Sequence, residues 1–312
     1  MIYRNLNAVN HLYYKFNLDD LSASSHWKEM HATFKIQNGM KLSGMRGFGG
    51  FPNRNNVLKR AGHFMLSRKL IRHGKIFNFF LQIFTLAKVI CKRQGRVVDQ
   101  DMLRQIITLA FISEKLKTSC FNSNRSNILV IGDGWGSLAS LLLGFTSSRV
   151  ILINLNKTLL MDLLQIQRAF SELNYCYVDD SEGLEIAMRD KSIRLITLTA
   201  DNYQLLANIP INLAINIASM QEMNYQSIHG YFDVLRRCPS ESTYLYSCNR
   251  QIKKLPDGSL IDFDNYGWLD LDEDLVFSEC PWHQDYYAFM PPFYRKFDGI
   301  HVHKLTNLAK VY

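Results

Sequence analysis

The chain has 312 residues, of which 47% are hydrophobic, and it carries a formal net charge of +8. This length and composition suit one large α/β domain, or such a domain with an appended helical part. The basic balance suits an anionic partner such as nucleic acid, a membrane surface or an acidic glycan, and charge alone excludes none of these.

Six cysteines are scattered along the chain, at positions 91, 120, 176, 238, 248 and 280. No two of them form a CxxC pair, and the sequence has no zinc-type spacing of cysteine and histidine. We expect reduced core thiols, which favours a cytoplasmic protein over a secreted one. The N-terminal residues also lack the apolar core of a signal peptide.

In chain order, residues 1 to about 37 have a polar, helical pattern. Residues 38–56, "NGMKLSGMRGFGGFPNRNN", are dense in Gly and Asn and predict a loop. Its Phe48, Phe51 and Pro52 could pack over a ligand, or the segment could simply link helices. Residues 57–117 are predicted to be helical.

Two features of this helical region each allow two structural interpretations. The most apolar run, Ile76 to Cys91, is shorter than the roughly 20 residues of a spanning helix. It predicts a buried core helix, with an interfacial membrane helix as the alternative. The basic residues nearby predict a solvated helix face or a docking face for an anionic acceptor. They are Lys59, Arg60, Arg68, Lys69, Arg72 and Lys75.

From Asn127 onward, short apolar runs alternate with helical patterns. The predicted strands are "NILVIG", "RVILIN", "IRLITLTA", "INLAINIA", "TYLYSC" and "IHVHKL". Helical patterns follow the first, second and fourth of these. Such alternation predicts a parallel, doubly wound sheet, and the nearly continuous apolar strands indicate that both sheet faces are covered. "YYAFMPPFY" with "IHVHKL" could form a terminal antiparallel pair.

The first strand runs into a glycine turn, Gly132-Asp133-Gly134-Trp135-Gly136. Gly132 and Gly134 permit positive φ and a close approach of the backbone to a ligand, and Gly136 lets the next helix start tight against the sheet. The turn lacks the GK[ST] of a phosphate-binding P-loop. It matches the nicotinamide fingerprint GxGxxG only in part, because Ser137 takes the third glycine position.

The pattern GxGxG instead resembles motif I of the class I S-adenosylmethionine (SAM)-dependent methyltransferases. That resemblance implies a Rossmann-like methyltransferase sheet in residues 121–312. It also implies a helical extension in residues 1–120 that forms a lid on the acceptor side. In that superfamily the second strand usually ends in an acid that binds the ribose hydroxyls, whereas this chain has Asn154. Asp201, with Asn202 beside it, stands where an acid often lies near the adenine amine; a helix N-cap is the alternative for Asp201.

Further segments resemble the sugar O-methyltransferase family. They are "INLAINIASMQEMNYQSIHGYFDVL", "TYLYSCNR" and "ECPWHQDYYAFMPPFYRKFDGI", taken together with "VIGDGWGSLAS". The resemblance covers about Asn127 to His303. It implies transfer of a methyl group from SAM to a hydroxyl of a free, nucleotide-linked or lipid-linked saccharide. It assigns Ser219 to the cofactor site.

A sugar hydroxyl needs a base near it, so carboxylates and imidazoles are the candidates. The resemblance places three such residues where a base would lie: Glu222, His283 and Asp285. Glu222 could instead be a helix-capping acid, and His283 could be a structural loop histidine. Aromatic rings can stack on sugars, and amides can bind hydroxyls. The candidate acceptor residues are Gln221, Trp282, Gln284, Tyr286 and Tyr287, although residues 281–293 could instead be a core-packing plug.

A divalent metal is possible but not predicted, with Asp201, Glu222 and Asp285 as candidate ligands. Peripheral membrane contact and homo-oligomerisation are also possible. Methylation of another small hydroxylated metabolite, a non-catalytic protein of the same fold and a nicotinamide oxidoreductase are the alternative functions. A nucleic-acid partner is not expected, because the chain lacks an NPPY-type segment for a flipped base.

Overall fold

A computed structural model describes residues 1–18, 20–37, 41–43, 57–116 and 126–311. The helices are α1 (Leu6–Tyr14), α2 (Ser25–Ala32), α3 (Val57–Leu66), α4 (Arg68–Gly74), α5 (Phe80–Arg93), α6 (Gln100–Lys115), α7 (Ser137–Phe145), α8 (Asn156–Ala169), α9 (Ser181–Arg189) and α10 (Tyr225–Arg237). The strands are β1 (Ile2–Arg4), β2 (Lys35–Gln37), β3 (Lys41–Ser43), β4 (Asn127–Ile131), β5 (Arg149–Asn154), β6 (Tyr175–Val178), β7 (Leu195–Thr199), β8 (Leu213–Ile217), β9 (Tyr244–Arg250), β10 (Ile252–Lys254), β11 (Leu260–Asp262), β12 (Glu273–Glu279), β13 (Asp285–Tyr287), β14 (Tyr294–Lys296) and β15 (His301–Asn307). Short 3₁₀ helices lie at Ala200–Asn208, Met220–Glu222 and Phe263–Asn265.

The central sheet has the strand order β1-β6-β7-β5-β4-β8-β9-β15-β12. Strands β6, β7, β5, β4, β8 and β9 are parallel, whereas β1 and β15 run antiparallel to their neighbours. The chain leaves β4 toward one edge and returns to β8 on the other side of β4. A ligand crevice is expected at such a reversal, beyond the carboxyl ends of β4 and β8.

Alternate residues of each parallel strand face opposite layers of helices. In β4, Ile128 and Val130 pack with α5, α6, α7 and α8, whereas Leu129 and Ile131 pack with α9 and α10. All four side chains are fully buried, and each contributes roughly 1.5–3 kcal/mol of apolar burial. The strands read as continuous apolar runs because both of their faces are covered.

The predicted doubly wound, Rossmann-like parallel sheet, preceded by a helical extension, is confirmed. The extension also contributes β1 to the sheet edge, where Ile2 pairs with Val178 of β6. Strand β6 was not predicted, because a run of four residues is too short to be recognised as a strand from its sequence pattern. The predicted boundary between residues 120 and 121 lies outside the described residues.

The suggested terminal pairing is wrong. Strand β15 is antiparallel, but its outer partner is β12, with Phe277 opposite Lys304. Residues 286–294 instead contribute to a separate hairpin, in which β13 pairs with β14. The three consecutive apolar residues of β12, Leu275, Val276 and Phe277, are flanked by acids and mostly exposed, so hydrophobicity alone did not mark it as a strand.

Helix α5 contains most of the apolar run at 76–91 and packs into the core through Phe80, Ile83, Ala87, Ile90 and Cys91. None of the helices that the structure describes has the length and apolar character needed to cross a bilayer. The five described cysteines are free and buried, whereas Cys120 lies outside the described residues. The glycine-rich segment 38–56 is likewise undescribed apart from β3.

Candidate active site

The glycine turn lies at the carboxyl end of β4 and packs tightly on two neighbouring elements. Gly132, Gly134 and Gly136 have φ angles of +70°, +83° and +59°, which L side chains rarely adopt. A Cβ at Gly132 would overlap the Ser219 hydroxyl, and a Cβ at Gly136 would lie 2.6 Å from the Asp162 carbonyl oxygen. Glycine at these two positions is therefore required by conformation and by packing.

Asp133 fastens the turn to helix α7. Its carboxylate accepts hydrogen bonds from the Leu138 and Ala139 amides, at 3.0 and 2.7 Å. Burial raises the pKa of Asp133 to about 6, against the opposing effect of these backbone donors. Asp133, which was predicted to bind the cofactor, thus points toward the N-terminus of α7 and stabilises the conformation of the turn.

Asp162, which the sequence analysis missed, joins the turn to the end of β5. It is fully buried in α8 and accepts hydrogen bonds from the Gly136 amide and from the Asn154 side chain, both at 2.8 Å. Burial and the neighbouring Asp133 carboxylate raise its pKa well above the usual range. Asn154 is thereby held at the crevice edge, with its side-chain oxygen accepting from the Leu155 amide.

A pocket lies beyond the carboxyl ends of β5 and β7, with about 450 Å³ of space between its atoms, of which about 30 Å³ can hold the centre of a water molecule. Ile153, Leu155 and Ala200 form apolar walls, and Asn154, Tyr203 and Tyr231 also line it. Its roof is the segment before and within α2, which contributes Ser22, Ser24 and Trp27. Apolar walls edged by hydroxyl and amide groups are the composition that suits a flat heteroaromatic ligand, which would enter as the roof opens.

Asp201 holds this roof in place. Its carboxylate accepts hydrogen bonds from the Leu21 and Ser22 amides, at 3.0 and 2.7 Å. Asn202, beside it, donates to the Thr199 hydroxyl at 3.3 Å. Further along the roof, the Ser24 hydroxyl donates to the Glu222 carbonyl. Asp201 is therefore the point at which the N-terminal segment is attached above the smaller pocket.

Replacement of Asp201 by alanine is expected to loosen the roof, because two backbone amides lose their acceptor. Amide hydrogen exchange at Leu21 and Ser22 should become faster, and affinity for a ligand in the cavity should fall about tenfold. The matched control is Asp233→Ala, which removes an exposed carboxylate of α10. Unchanged exchange at Leu21 and Ser22 would contradict the proposed attachment.

A wider cleft of about 1400 Å³ extends from the glycine turn to His283 and His301. It shares Trp27, Gly132, Asn154, Ser219 and Glu222 with the smaller cavity, so the two spaces meet at these residues. Charged residues of both signs line the cleft: Arg96, Asp99, Asp101, Arg104, Asp133, Glu222 and Arg250. Ala218, after β8, has a φ of +56°, a strained value that brings Ser219 against the turn.

Glu222 lies where the two spaces meet. Burial raises its pKa to about 7, although Lys253 opposes this shift. Its carboxylate oxygen lies 3.5 Å from the His26 Nε2, and burial together with Lys253 lowers the pKa of His26. Gln221 beside it braces the loop, since its side-chain oxygen accepts from the Arg250 amide at 2.7 Å.

His283 forms the far wall of the cleft. It is 4% exposed, its Nδ1 lies 3.3 Å from the Cys280 Sγ, and burial together with Arg104 holds its pKa well below the usual value. His301 lies beside it, with ring centroids 6.0 Å apart, and its buried Nδ1 has no hydrogen-bond partner within the described part of the chain. Both imidazoles are therefore neutral near pH 7.

Two arginines that the sequence analysis did not single out flank an aromatic ring in the cleft. The guanidinium carbons of Arg104 and Arg250 lie 4.9 and 5.9 Å from the centroid of Phe297. Arg104 also donates to the carbonyls of Trp282 and Asp285, at 3.2 and 2.8 Å. Only the convergence of α6, β9 and the C-terminal segment reveals this group, because its members are distant in sequence.

The remaining predicted acceptor residues lie beside the cleft and do not line it. Trp282 is 3% exposed and donates to the Thr108 hydroxyl at 2.9 Å, and Gln284 bonds the carbonyls of Cys280 and His301. Asp285 forms an ion pair with Lys69. Tyr286 packs on Phe297, while the Tyr287 hydroxyl lies 2.9 Å from the His63 Nδ1. Trp282, Asp285, Tyr286 and Tyr287 line a small cavity of about 280 Å³ instead.

The three carboxylates considered as metal ligands have different neighbours and form no cluster among the described residues. The structure does bring Cys248, Cys280 and His283 together, with their ligand atoms within 4.8 Å of one another. Burial raises the pKa of the Cys280 thiol well above its usual range. Cys248 lies on β9, distant in sequence from Cys280 and His283, so only the fold brings the three side chains together.

Comparison with known proteins found no matching family profile and no matching curated protein. Solved structures do match. One is geranyl diphosphate C-methyltransferase from Streptomyces coelicolor A3(2), with 10% identity, 67% of this chain and 79% of that chain covered, and a TM-score of 0.40. Another is the pyocyanin biosynthetic protein PhzM, with 11% identity, 66% and 57% of the two chains covered, and a TM-score of 0.38.

Proposed function

We propose that this chain is a SAM-dependent O-methyltransferase that methylates a hydroxyl of a sugar or glycan-linked acceptor. The observation that carries the proposal is the pair of spaces that meet at Gly132, Ser219 and Glu222. One is an enclosed, mostly apolar slot and the other is a wide, charged cleft. A cofactor with a nucleoside end and an amino-acid end fits such a pair, with the acceptor entering from the wide side.

The residues present suit SAM, which would supply an electrophilic methyl group. Ile153, Leu155 and Ala200 would contact the adenine, and the free N–H of the Asn154 amide would bond a ribose hydroxyl. The backbone of the glycine turn would approach the methionine part, because Gly132 and Gly134 leave no side chain there. Trp27 would cover the junction of the two spaces.

Glu222 is the candidate general base. A base works best when its pKa is near the working pH, and the pKa of Glu222 is about 7. Its carboxylate would take the proton of the acceptor hydroxyl as that oxygen attacks. His283 and His301 are weaker bases, since their pKa values are lowered, and as neutral rings they would instead bond acceptor hydroxyls.

The acceptor would lie along the far wall of the cleft. The Phe297 ring offers a flat apolar surface for a sugar, and Arg104 and Arg250 beside it offer donors for hydroxyl or acidic groups. Three arginines and four carboxylates line the cleft, and Arg96 and Arg104 form ion pairs with Asp99 and Asp101, so the lining suits an acceptor with neutral hydroxyl groups. This arrangement supports a saccharide and equally supports another small hydroxylated metabolite.

The first test is calorimetric titration with S-adenosylhomocysteine, with NAD(H) as a parallel control. Binding of the former alone supports the cofactor assignment, and binding of NAD(H) instead would favour an oxidoreductase. Transfer of labelled methyl from SAM to panels of free, nucleotide-linked and lipid-linked sugars would then identify the acceptor class. Methylation of non-saccharide hydroxyl compounds alone would overturn the sugar assignment.

A non-catalytic protein of the same fold is the second candidate. The observation that favours it is the engagement of Asn154, whose amide bonds Asp162 and the adjacent backbone and carries no charge for the ribose hydroxyls. Absence of any S-adenosylhomocysteine binding in the titration would support this candidate.

A further inference from the structure

A second large space lies on the other side of Arg96, between helices α3, α4 and α5. It is an open groove with about 1880 Å³ of space between its atoms, part of it open solvent, and about 790 Å³ of this can hold the centre of a water molecule. Its floor and walls include the apolar side chains Phe64, Ile71, Phe80, Leu81, Phe84, Val97, Val98 and Leu103. The groove is far larger than a side-chain packing defect and is comparable in size to a site for a long apolar ligand.

The charged residues that line the groove and that the structure describes are all cationic. They are Arg68, Arg72, Lys75, Lys88, Lys92 and Arg96, with His63 at one end. Within the described part of the chain, no acidic side chain forms an ion pair with Arg68, Arg72, Lys75 or Lys88. Lys88 instead lies 4.5 Å above the Phe84 ring. The groove therefore combines an apolar interior with a strongly positive rim.

Large apolar side chains project outward next to this rim. Phe64 of α3 is 68% exposed, Ile76 after α4 is 73% exposed, and Leu81 of α5 is 64% exposed. Water-facing apolar residues of this size, interleaved with lysine and arginine, are typical of a surface that contacts the headgroup region of a bilayer. A nucleic acid would share the preference for positive charge but would gain little from the aliphatic side chains of the groove, such as Ile71, Val97 and Val98.

We propose that this groove binds an acidic lipid of a bilayer surface. The lipid's anionic headgroup would contact Arg68, Arg72 and Lys75, and its chains would lie against Phe80, Leu81 and Phe84. Arg96 lines both the groove and the candidate active-site cleft, so the two spaces adjoin. This inference goes beyond the proposed methyl transfer and does not depend on it.

The test is flotation of the full-length protein with phosphatidylcholine vesicles, with and without phosphatidylglycerol. We expect binding only to the acidic vesicles, and weaker binding at high salt because surface charge is screened. The double variant Arg68→Glu/Arg72→Glu should bind about tenfold or more weakly, since each reversed charge loses attraction to the surface. Leu81→Ser, which removes the apolar side chain and leaves the net charge unchanged, should also weaken binding, which a purely electrostatic contact would not require.

The matched control is the double variant Lys191→Glu/Arg237→Glu, which changes the net charge equally at exposed positions next to and on the α9–α10 layer. Titration with S-adenosylhomocysteine, or thermal unfolding if that ligand does not bind, checks that each variant is folded. Equal binding to both vesicle types would overturn the proposal, and so would equal weakening by both double variants. Binding of short-chain monomeric phosphatidylglycerol without vesicle binding, or preference for an oligonucleotide over vesicles, would also overturn it.

Discussion

Replacement of Gly134 by aspartate is expected to abolish binding of S-adenosylhomocysteine, with a loss of affinity of about 100-fold or more. Gly134 has a φ of +83°, so any side chain there strains the turn. A side chain would also occupy the space that the turn leaves open in the cleft. An aspartate adds negative charge beside Asp133, where the methionine carboxylate of the ligand is proposed to approach. Calorimetric titration of wild type and variant measures the effect.

The chain offers a matched control in Gly258, which has a φ of +88° in the turn between β10 and β11 and no atom near its missing Cβ. Gly258→Asp imposes the same backbone strain away from the cleft, so its thermal stability should fall while ligand affinity persists. If Gly134→Asp bound the ligand as tightly as Gly258→Asp, the glycine turn would not be the cofactor site.

Replacement of Glu222 by alanine or glutamine is expected to lower turnover by about 100-fold or more while cofactor affinity stays near that of wild type. The reason is that Glu222 provides the only carboxylate, among the described residues, that lines both the smaller pocket and the wider cleft. The pH profile gives a sharper readout. A carboxylate base acts when deprotonated, so the wild-type rate should fall as the pH drops through about 7, the raised pKa of Glu222. In Glu222→Gln this limb should disappear from the profile.

Glu185→Gln, at an exposed position on α9, is the matched control and should leave both rate and pH profile unchanged. His283→Ala should lower turnover as well, because His283 lines the acceptor side of the cleft. It should leave the limb near pH 7 in place, since its own pKa lies well below the usual value. Full activity in both Glu222→Gln and His283→Ala would mean that the acceptor lies elsewhere.

The fold was predictable because its signals are local. Five of the six parallel strands were marked by short, largely apolar runs, and the glycine turn marks where the first strand gives way to a helix. A helix cap after β8 was likewise expected, with Glu222 as the candidate, but the cap of α10 is the nearby Asn224, whose side chain accepts from the Ser227 amide at 2.8 Å. Periodicity and capping chemistry depend on neighbours in sequence.

The site was less predictable because its contacts join distant parts of the chain. Asp162 is a single acid within an apolar helix, and only the fold shows that it ties Gly136 to Asn154. Arg104 and Arg250 meet at Phe297 from three separate segments. The aromatic residues near Trp282 have a composition suited to sugar binding, but in the fold they lie largely against helices α4 and α6.

The attachment of the N-terminal segment also sets an order of events during synthesis on the ribosome. Strand β1 cannot join the sheet until β6 has been synthesised, because Tyr3 pairs with Tyr177, more than 170 residues later in the chain. The roof contacts made by residues 21–24 require Asp201 and Glu222, which emerge later still. Long-range pairings of this kind form slowly because their loop-closure entropy must be overcome first. The nascent sheet therefore presents an open slot until the earlier-made N-terminal segment closes over it.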